Sequence, residues 1–205
     1  MSPQSIAQST STVDVIFPLV GGFLPRDHAQ ALQDALCAQW PWLTTEPQAA
    51  IHAIKLVPGL DSLAMLSRRA RLLVRVPDHR APEMLATTGM DVQVGGHALH
   101  LEAPHQRELQ AHATLYAYTV AAPSEDESSF LAEVTRELAS LDIGGEKVCG
   151  KRQKLMAKGG LIHAFSLMLH ALPAEQSLRL QHHGIGAHRL LGCGIFLPHK
   201  SAAAV

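Results

Sequence analysis

The stretch HHGIGAHRLLGCGIFLPHK, residues 182–200, holds four glycines in two Gly-x-Gly pairs, Gly184-Ile185-Gly186 and Gly192-Cys193-Gly194. Five residues separate the pairs, His188 and Arg189 among them. Glycine pairs beside an apolar run raise the question of a nucleotide-binding fold, and two such folds fail at once. No third glycine completes GxGxxG within a βαβ unit, and no Gly-Lys-Ser/Thr closes a Walker loop. What is left is a glycine-rich connection from a helix to a strand. Glycine lets backbone amides approach an anion with no Cβ in the way. One Gly-x-Gly alone reads as a tight turn; two pairs bracketing His188 and Arg189 read as an anion-binding loop.

The segments before the loop supply its frame. PAEQSLRLQHHG (173–184) reads as a short helix opened by Pro173 and closed by Gly184. KVCGKRQKLMAKGGLIHAFSLMLHAL (147–172) reads as a hairpin turning at Lys158-Gly159-Gly160. SEDESSFLAEVTRELASLDIGG (124–145) is a helix, acidic in its first turn and stopped by Gly144-Gly145. With ATLYAYTVAA (113–122) before it and LLGCGIFLP (190–198) at the end, both strands, the order is βαββαβ.

The first half gives the same order. VDVIF (13–17) is a strand that Pro18 is expected to close. PRDHAQALQDALCAQW (25–40) is a helix with Ala31, Leu32, Ala35 and Leu36 on one face. AIHAIKLV (50–57) and ARLLVRV (70–76) are strands, and PDHRAPEMLATTG (77–89) is a helix ended by Gly89. DVQVGGHALHLEA (91–103) is a strand with a Gly-Gly turn or bulge inside it. The expectation is an α+β chain of two tandem ferredoxin-like, RRM-like domains, 1–110 and 111–205, with the glycine-rich loop near the C-terminus. That superfold hosts enzymes, metal carriers and RNA-binding modules, so function has to come from the residues.

At 47% hydrophobic and 17% charged, the 205 residues have an ordinary globular composition. Cys37, Cys149 and Cys193 show no CxxC spacing, which argues against a disulfide framework or a structural zinc. His97 and His100 fall on opposite faces of a strand, so they do not make a metal pair. Neither a secretory signal nor a bilayer-spanning run is evident, and the expected setting is cytoplasmic, with no membrane partner and no cofactor. The net charge of −1 conceals an asymmetry. From residue 145 onward, Lys147, Lys151, Arg152, Lys154, Lys158, Arg179, Arg189 and Lys200 face only Glu146 and Glu175, a balance of +6. Residues 1–144 carry −7. The basic third points to a polyanionic partner, although a solvated basic surface is the plainer reading.

The glycine loop ending GCGIF resembles that of the CRISPR-associated RAMP endoribonucleases, which cut precursor CRISPR RNA within its repeats. VDVIFPLVGGFLPRDHAQAL (13–32), IHAIK (51–55) and SLRLQHHGIG (177–186) extend the likeness over nearly the whole chain. The resemblance implies tandem ferredoxin-like units, and cleavage in which a ribose 2′-hydroxyl attacks the neighbouring phosphorus without metal. It also implies that the partners are CRISPR repeat RNA, as precursor and as mature guide, and other subunits of an effector complex. Such chemistry needs a base, an acid and cations for the charged transition state.

Histidine, with a pKa of ~6.5, suits the proton transfers, but with 13 histidines most must be bystanders. Members of the resembled family place the catalytic histidine near the first helix, which implies His28. His52, turned to the opposite face from Ile51 and Ala53, is the second candidate. For RNA contact the resemblance implies the hairpin residues Lys151, Arg152, Lys154 and Lys158. Loop residues Gly184, Gly186, His188, Arg189, Gly192 and Gly194 join them, with Lys200; His182 and His183 flank the loop. Lysines blocking an edge strand are the plainer explanation for the hairpin. Two other functions stay open: a subunit that holds guide RNA without cutting it, and an unrelated small-molecule enzyme.

Overall fold

The computed structural model describes residues 11–58 and 62–200. The first half contains β1 (Thr12–Val20), β2 (Phe23–Pro25), α1 (Ala29–Gln39), β3 (Ala50–Ile51), β4 (Leu56–Pro58), β5 (Leu63–Leu66) and β6 (Arg71–Pro77). It continues with α2 (Ala81–Leu85), β7 (Met90–Val94), β8 (His97–Leu101) and β9 (His105–Glu108). The second half contains β10 (Leu115–Ala122), α3 (Glu127–Ser140), β11 (Glu146–Ala157), β12 (Gly160–His170), α4 (Ala174–His183) and β13 (Leu197–Pro198).

The first half's main sheet runs β3-β6-β1-β8-β7, with β9 also paired to β1. The second half's sheet runs β11-β12-β10-β13. The opening strand of each half is thus central, with β1 between β6 and β8 and β10 between β12 and β13. Each sheet has its own core. Val13, Val15 and Phe17 of β1 pack with Leu32 and Leu36 of α1, while Phe130, Val134 and Leu138, one stripe of α3, pack with β10 and β12. Asp126 caps α3 by accepting the Ser129 amide at 2.8 Å. Gly184, at φ 69°, ends α4 as its sequence suggested.

Several boundaries differ from the sequence reading. Pro18 does not close β1, because it falls where the strand changes partner, between Ile16 opposite His105 and Leu19 opposite Leu101. The expected strand 50–57 breaks after Ile51; Leu56–Pro58 instead joins β5 and β2 in a separate three-stranded sheet. The expected helix 77–89 is a 3-10 turn, Asp78–Arg80, followed by the short α2. Residues 91–103 form a two-stranded hairpin around Gly95 and Gly96, both at positive φ. The last strand is only Leu197–Pro198, the preceding residues being a loop with a 3-10 turn at Arg189–Leu191.

A buried ion pair of the first half ties it to the second through its arginine. Asp14 and Arg75 lie opposite each other in the β1–β6 register, and both are fully buried. Arg75 donates from Nε to Asp14 Oδ1 at 2.8 Å and from Nη2 to Oδ2 at 3.3 Å. Its Nη1 crosses to the carbonyls of Gln181 (2.9 Å) and Phe196 (3.3 Å). A lone charge inside VDVIF, and another inside LLVRV, is the sequence trace of that contact.

Candidate active-site cleft

Where β3 stops, residues 52–55 run on as open backbone between the two halves. They line two adjoining clefts. One, of about 500 Å³, is walled by His52, Lys55, Tyr118, Thr119, Gly192 and Ile195. The other, of about 550 Å³, is walled by His52, Lys55, Arg69, Arg71, Arg107 and Pro198. A one-residue bulge in β10 between Ala117 and Val120 breaks the ladder with β12, and the freed Thr119 carbonyl accepts the Gly194 amide at 2.7 Å. The bulge thereby seats the glycine loop against the cleft.

His52 lines both clefts and is 7% exposed. Its Nε2 stands 3.8 Å from Asp14 Oδ1, beyond hydrogen-bond reach yet close enough for the charges to couple. Burial holds its pKa below 6.5; Asp14 opposes that shift and Arg75 adds to it. Burial also works against the charged form of Asp14, but His52 and Arg75 together hold its carboxyl far below the usual carboxylate range. A neutral imidazole beside a fixed carboxylate is competent to take up a proton.

His28, the N-cap residue of α1, sits behind this segment. Its Nε2 accepts the Ile54 amide at 3.2 Å. An amide only donates, so the ring hydrogen is on Nδ1, directed to the carbonyls of Pro25 (3.1 Å) and Arg26 (3.2 Å). Both ring nitrogens are therefore engaged by backbone, and burial lowers the pKa of the group.

Comparison with known proteins gives one answer. The family model described as Cas6 Crispr matches residues 13–201. The chain belongs to the Cas6 family. The CRISPR-associated endonuclease Cas6 of Myxococcus xanthus (strain DK1622) is 33% identical over 194 residues, covering 94% of this chain and 84% of that protein. Among solved structures, a CRISPR-associated protein Cas6 superposes with a TM-score of 0.66 at 10% identity, over 92% of this chain and 100% of the other. Thermus thermophilus Cse3, bound to an RNA representing a pre-cleavage complex, gives 0.52 at 14% identity, over 91% and 98%. At those identities the Cas6 structures speak for the fold.

In this family member the loop differs from the sequence expectation. Arg189, expected to meet phosphate, is buried: Nη1 donates to the His183 carbonyl at 2.6 Å, and Nη2 reaches the Gln48 carbonyl at 3.2 Å. It closes the end of α4 and ties the loop to the first half. A Cβ on Gly184 would strike that guanidinium and the Gly194 carbonyl, and one on Gly194 would strike the Ile185 carbonyl. The loop is closed on itself. Its glycine amides are accordingly taken: Gly184 by Leu180, Gly192 by Arg189, and Gly186 by the Glu137 carboxylate at 3.0 Å. Glycine here serves close packing more than open amides. His188, at φ 65°, is exposed and lines a separate cleft with Lys158.

Of the hairpin cations, Lys151, Arg152 and Lys154 are exposed on the outer strand β11. Arg152 lies 3.7 Å from Glu125, and Lys158 lies 2.9 Å from Asp34. Lys200 is exposed, His183 is exposed, and His182 bonds Thr12 Oγ1 at 2.8 Å. None of these hairpin residues lines the His52 clefts, whereas Lys55, Arg69, Arg71, Arg107 and Tyr118 do. Sequence reading missed all five; for Arg69, Arg71 and Arg107 the acid-rich balance of the first half masked the cations.

Proposed function

We propose that this Cas6 family member cleaves precursor CRISPR RNA within its repeats, without metal, and keeps the mature guide bound for transfer to an effector complex. The single observation that carries the reading is the convergence of His52, Lys55 and the glycine loop on one cleft between two sheets. The strand orders support the two-unit reading: the second half runs 2-3-1-4, the arrangement of a ferredoxin-like, RRM-like unit. The first half repeats its 2-3-1 part as β3-β6-β1, with β8 and β9 sharing the fourth place and β7 added at the edge. The RNA-bound Cse3 neighbour shares this fold, and the Myxococcus relative is named an endonuclease.

His52 takes the proton of a ribose 2′-hydroxyl, and the 2′-oxygen bonds to the adjacent phosphorus. The bond from phosphorus to the 5′-oxygen breaks, that oxygen takes a proton from solvent water, and the products are a 2′,3′-cyclic phosphate and a 5′-hydroxyl. Lys55, on the same cleft, offsets the charge that builds on the phosphoryl oxygens. His28 is a positioning residue: it holds the Ile54 amide, and so the segment that carries His52 and Lys55. The exposed hairpin cations and Lys200 contact phosphates farther along the RNA.

The test is incubation of the protein with the repeat RNA of its own locus in EDTA, followed by analysis of product ends. A cyclic phosphate and a 5′-hydroxyl are expected. Tight binding with no cleavage would instead make it a guide-holding subunit, and cleavage lost in EDTA would end the metal-free mechanism.

A further inference from the structure

Both tyrosines of the chain, Tyr116 and Tyr118, stand two apart on β10. Their rings meet edge to face, with centroids 4.8 Å apart, and Tyr116 continues to the His199 ring at 5.4 Å. Tyr118 is 54% exposed, while Leu115 and Val120 of β10 lie inward in the core and Tyr116 is half-buried. It sits on the bulge that departs from the β12 ladder, and it faces the cleft that His52 lines. Lys55 Nζ is 5.8 Å from its ring centroid. On the far side of the 52–55 segment, Arg69, Arg71 and Arg107 share the adjoining cleft. Arg107 pairs with Asp14 at 2.9 Å; among the described residues Lys55, Arg69 and Arg71 have no ion-pair partner.

We propose that Tyr118 is a stacking platform for an unpaired nucleobase, and that Lys55, Arg69, Arg71 and Arg107 form the phosphate track of that same single strand as it passes His52. The inference rests on the RNA-processing reading and adds to it the form of RNA that enters the cleft. An exposed aromatic face beside a basic groove is the arrangement that binds single strands, since every base offers a π-face and every nucleotide a phosphate. A base within a duplex is already stacked on its neighbours and cannot use such a platform. The repeat is therefore unpaired where it meets His52, and duplex segments are left to the hairpin β11–β12.

The experiment measures the affinity of the full chain for a single-stranded RNA taken from the repeat and for a blunt hairpin of the same composition. Wild type, Tyr118→Ala, Tyr118→Phe and the double variant Arg69→Ala/Arg71→Ala are compared, with circular dichroism checking the fold of each. Tyr118→Ala should weaken single-strand binding on the order of 10–100-fold and leave the blunt hairpin within twofold. Tyr118→Phe should bind like wild type, and the arginine pair should lower the salt dependence of single-strand binding by about 0.7 for each phosphate no longer neutralised. Wild-type single-strand affinity in Tyr118→Ala, or equal losses for both RNAs, overturns the platform. Cleavage of repeat RNA by wild type is scored separately. Its presence alongside an unaffected Tyr118→Ala would refute the platform alone, and its absence would refute the nuclease reading instead.

Discussion

His28 Nε2 accepts the backbone amide of Ile54 at 3.2 Å, so a histidine at the start of α1 holds the segment that carries His52 across the cleft. The contact spans 26 residues of chain and leaves neither ring nitrogen of His28 free for a substrate. Replacing His28 by alanine strands a buried amide, Ile54 being 4% exposed, at a cost of about 1–3 kcal/mol. The urea midpoint should fall with the slope unchanged. Cleavage by the folded fraction should persist at a reduced rate; complete loss with unaltered stability would return His28 to the chemistry.

Asp14 and Arg75 make a second prediction. Arg75→Met leaves the Asp14 carboxylate buried without its main partner and should cost about 3–5 kcal/mol. It also removes both bonds from Arg75 to the second half, at Gln181 and Phe196. Arg107 still reaches the carboxylate at 2.9 Å, but from a half-exposed position; adding Asp14→Leu removes the buried charge altogether, so the double variant should be more stable than Arg75→Met alone. Chemical denaturation of the three proteins measures the difference, and a double variant less stable than the single one would contradict the argument.

His28 and His52 share a pH signature. Both are buried with pKa values held below 6.5, so below that pH the unfolded chain binds protons that the folded chain refuses. Their contribution to stability is intact above pH ~6.5 and is lost as pH falls below it, at up to about 1.4 kcal/mol per pH unit for each histidine. Unfolding free energies from pH 8 to pH 5 should be flat at first and then decline. A rise toward pH 5 would mean that these rings are paired as cations.

Much of this architecture was readable from pattern, and what was not has identifiable causes. Helix α4 carries its own start and stop signals in Pro173 and Gly184, and the hairpin β11–β12 turns at the expected glycines. By contrast β9, with all of His105–Glu108 exposed, offers no apolar alternation to find, yet it pairs with the centre of β1. Arg189 looks like a phosphate ligand until the fold brings the His183 and Gln48 carbonyls to it. Tyr118 and Arg71 lie 47 positions apart and come to adjoining clefts only because both clefts share His52, Ala53 and Lys55. Local pattern marks the elements; pairings across long stretches of chain decide which side chains face the cleft.

The hairpin should account for part of the affinity for duplex RNA. Lys151 and Lys154 are exposed and, among the described residues, have no ion-pair partner, while Arg152 and Lys158 are paired with Glu125 and Asp34. Changing Lys151 and Lys154 to alanine should flatten the plot of log K against log salt by about 0.9 for each phosphate that a lysine had neutralised. Arg152→Ala should change the slope less than either lysine. An unaltered slope in the double lysine variant would remove the hairpin from the RNA interface.

Single-turnover cleavage of repeat RNA by His52→Ala, with the RNA saturated and the folded fraction verified, bears on the chemistry more directly than any other measurement. The rate should fall by about 10²–10⁴-fold, the usual worth of a positioned proton-transfer group, with RNA affinity little changed because phosphate contacts carry the binding. A rate within a few-fold of wild type would contradict the assignment of His52 as the base, and an abolished rate in His28→Ala at the same time would hand the role to the other histidine.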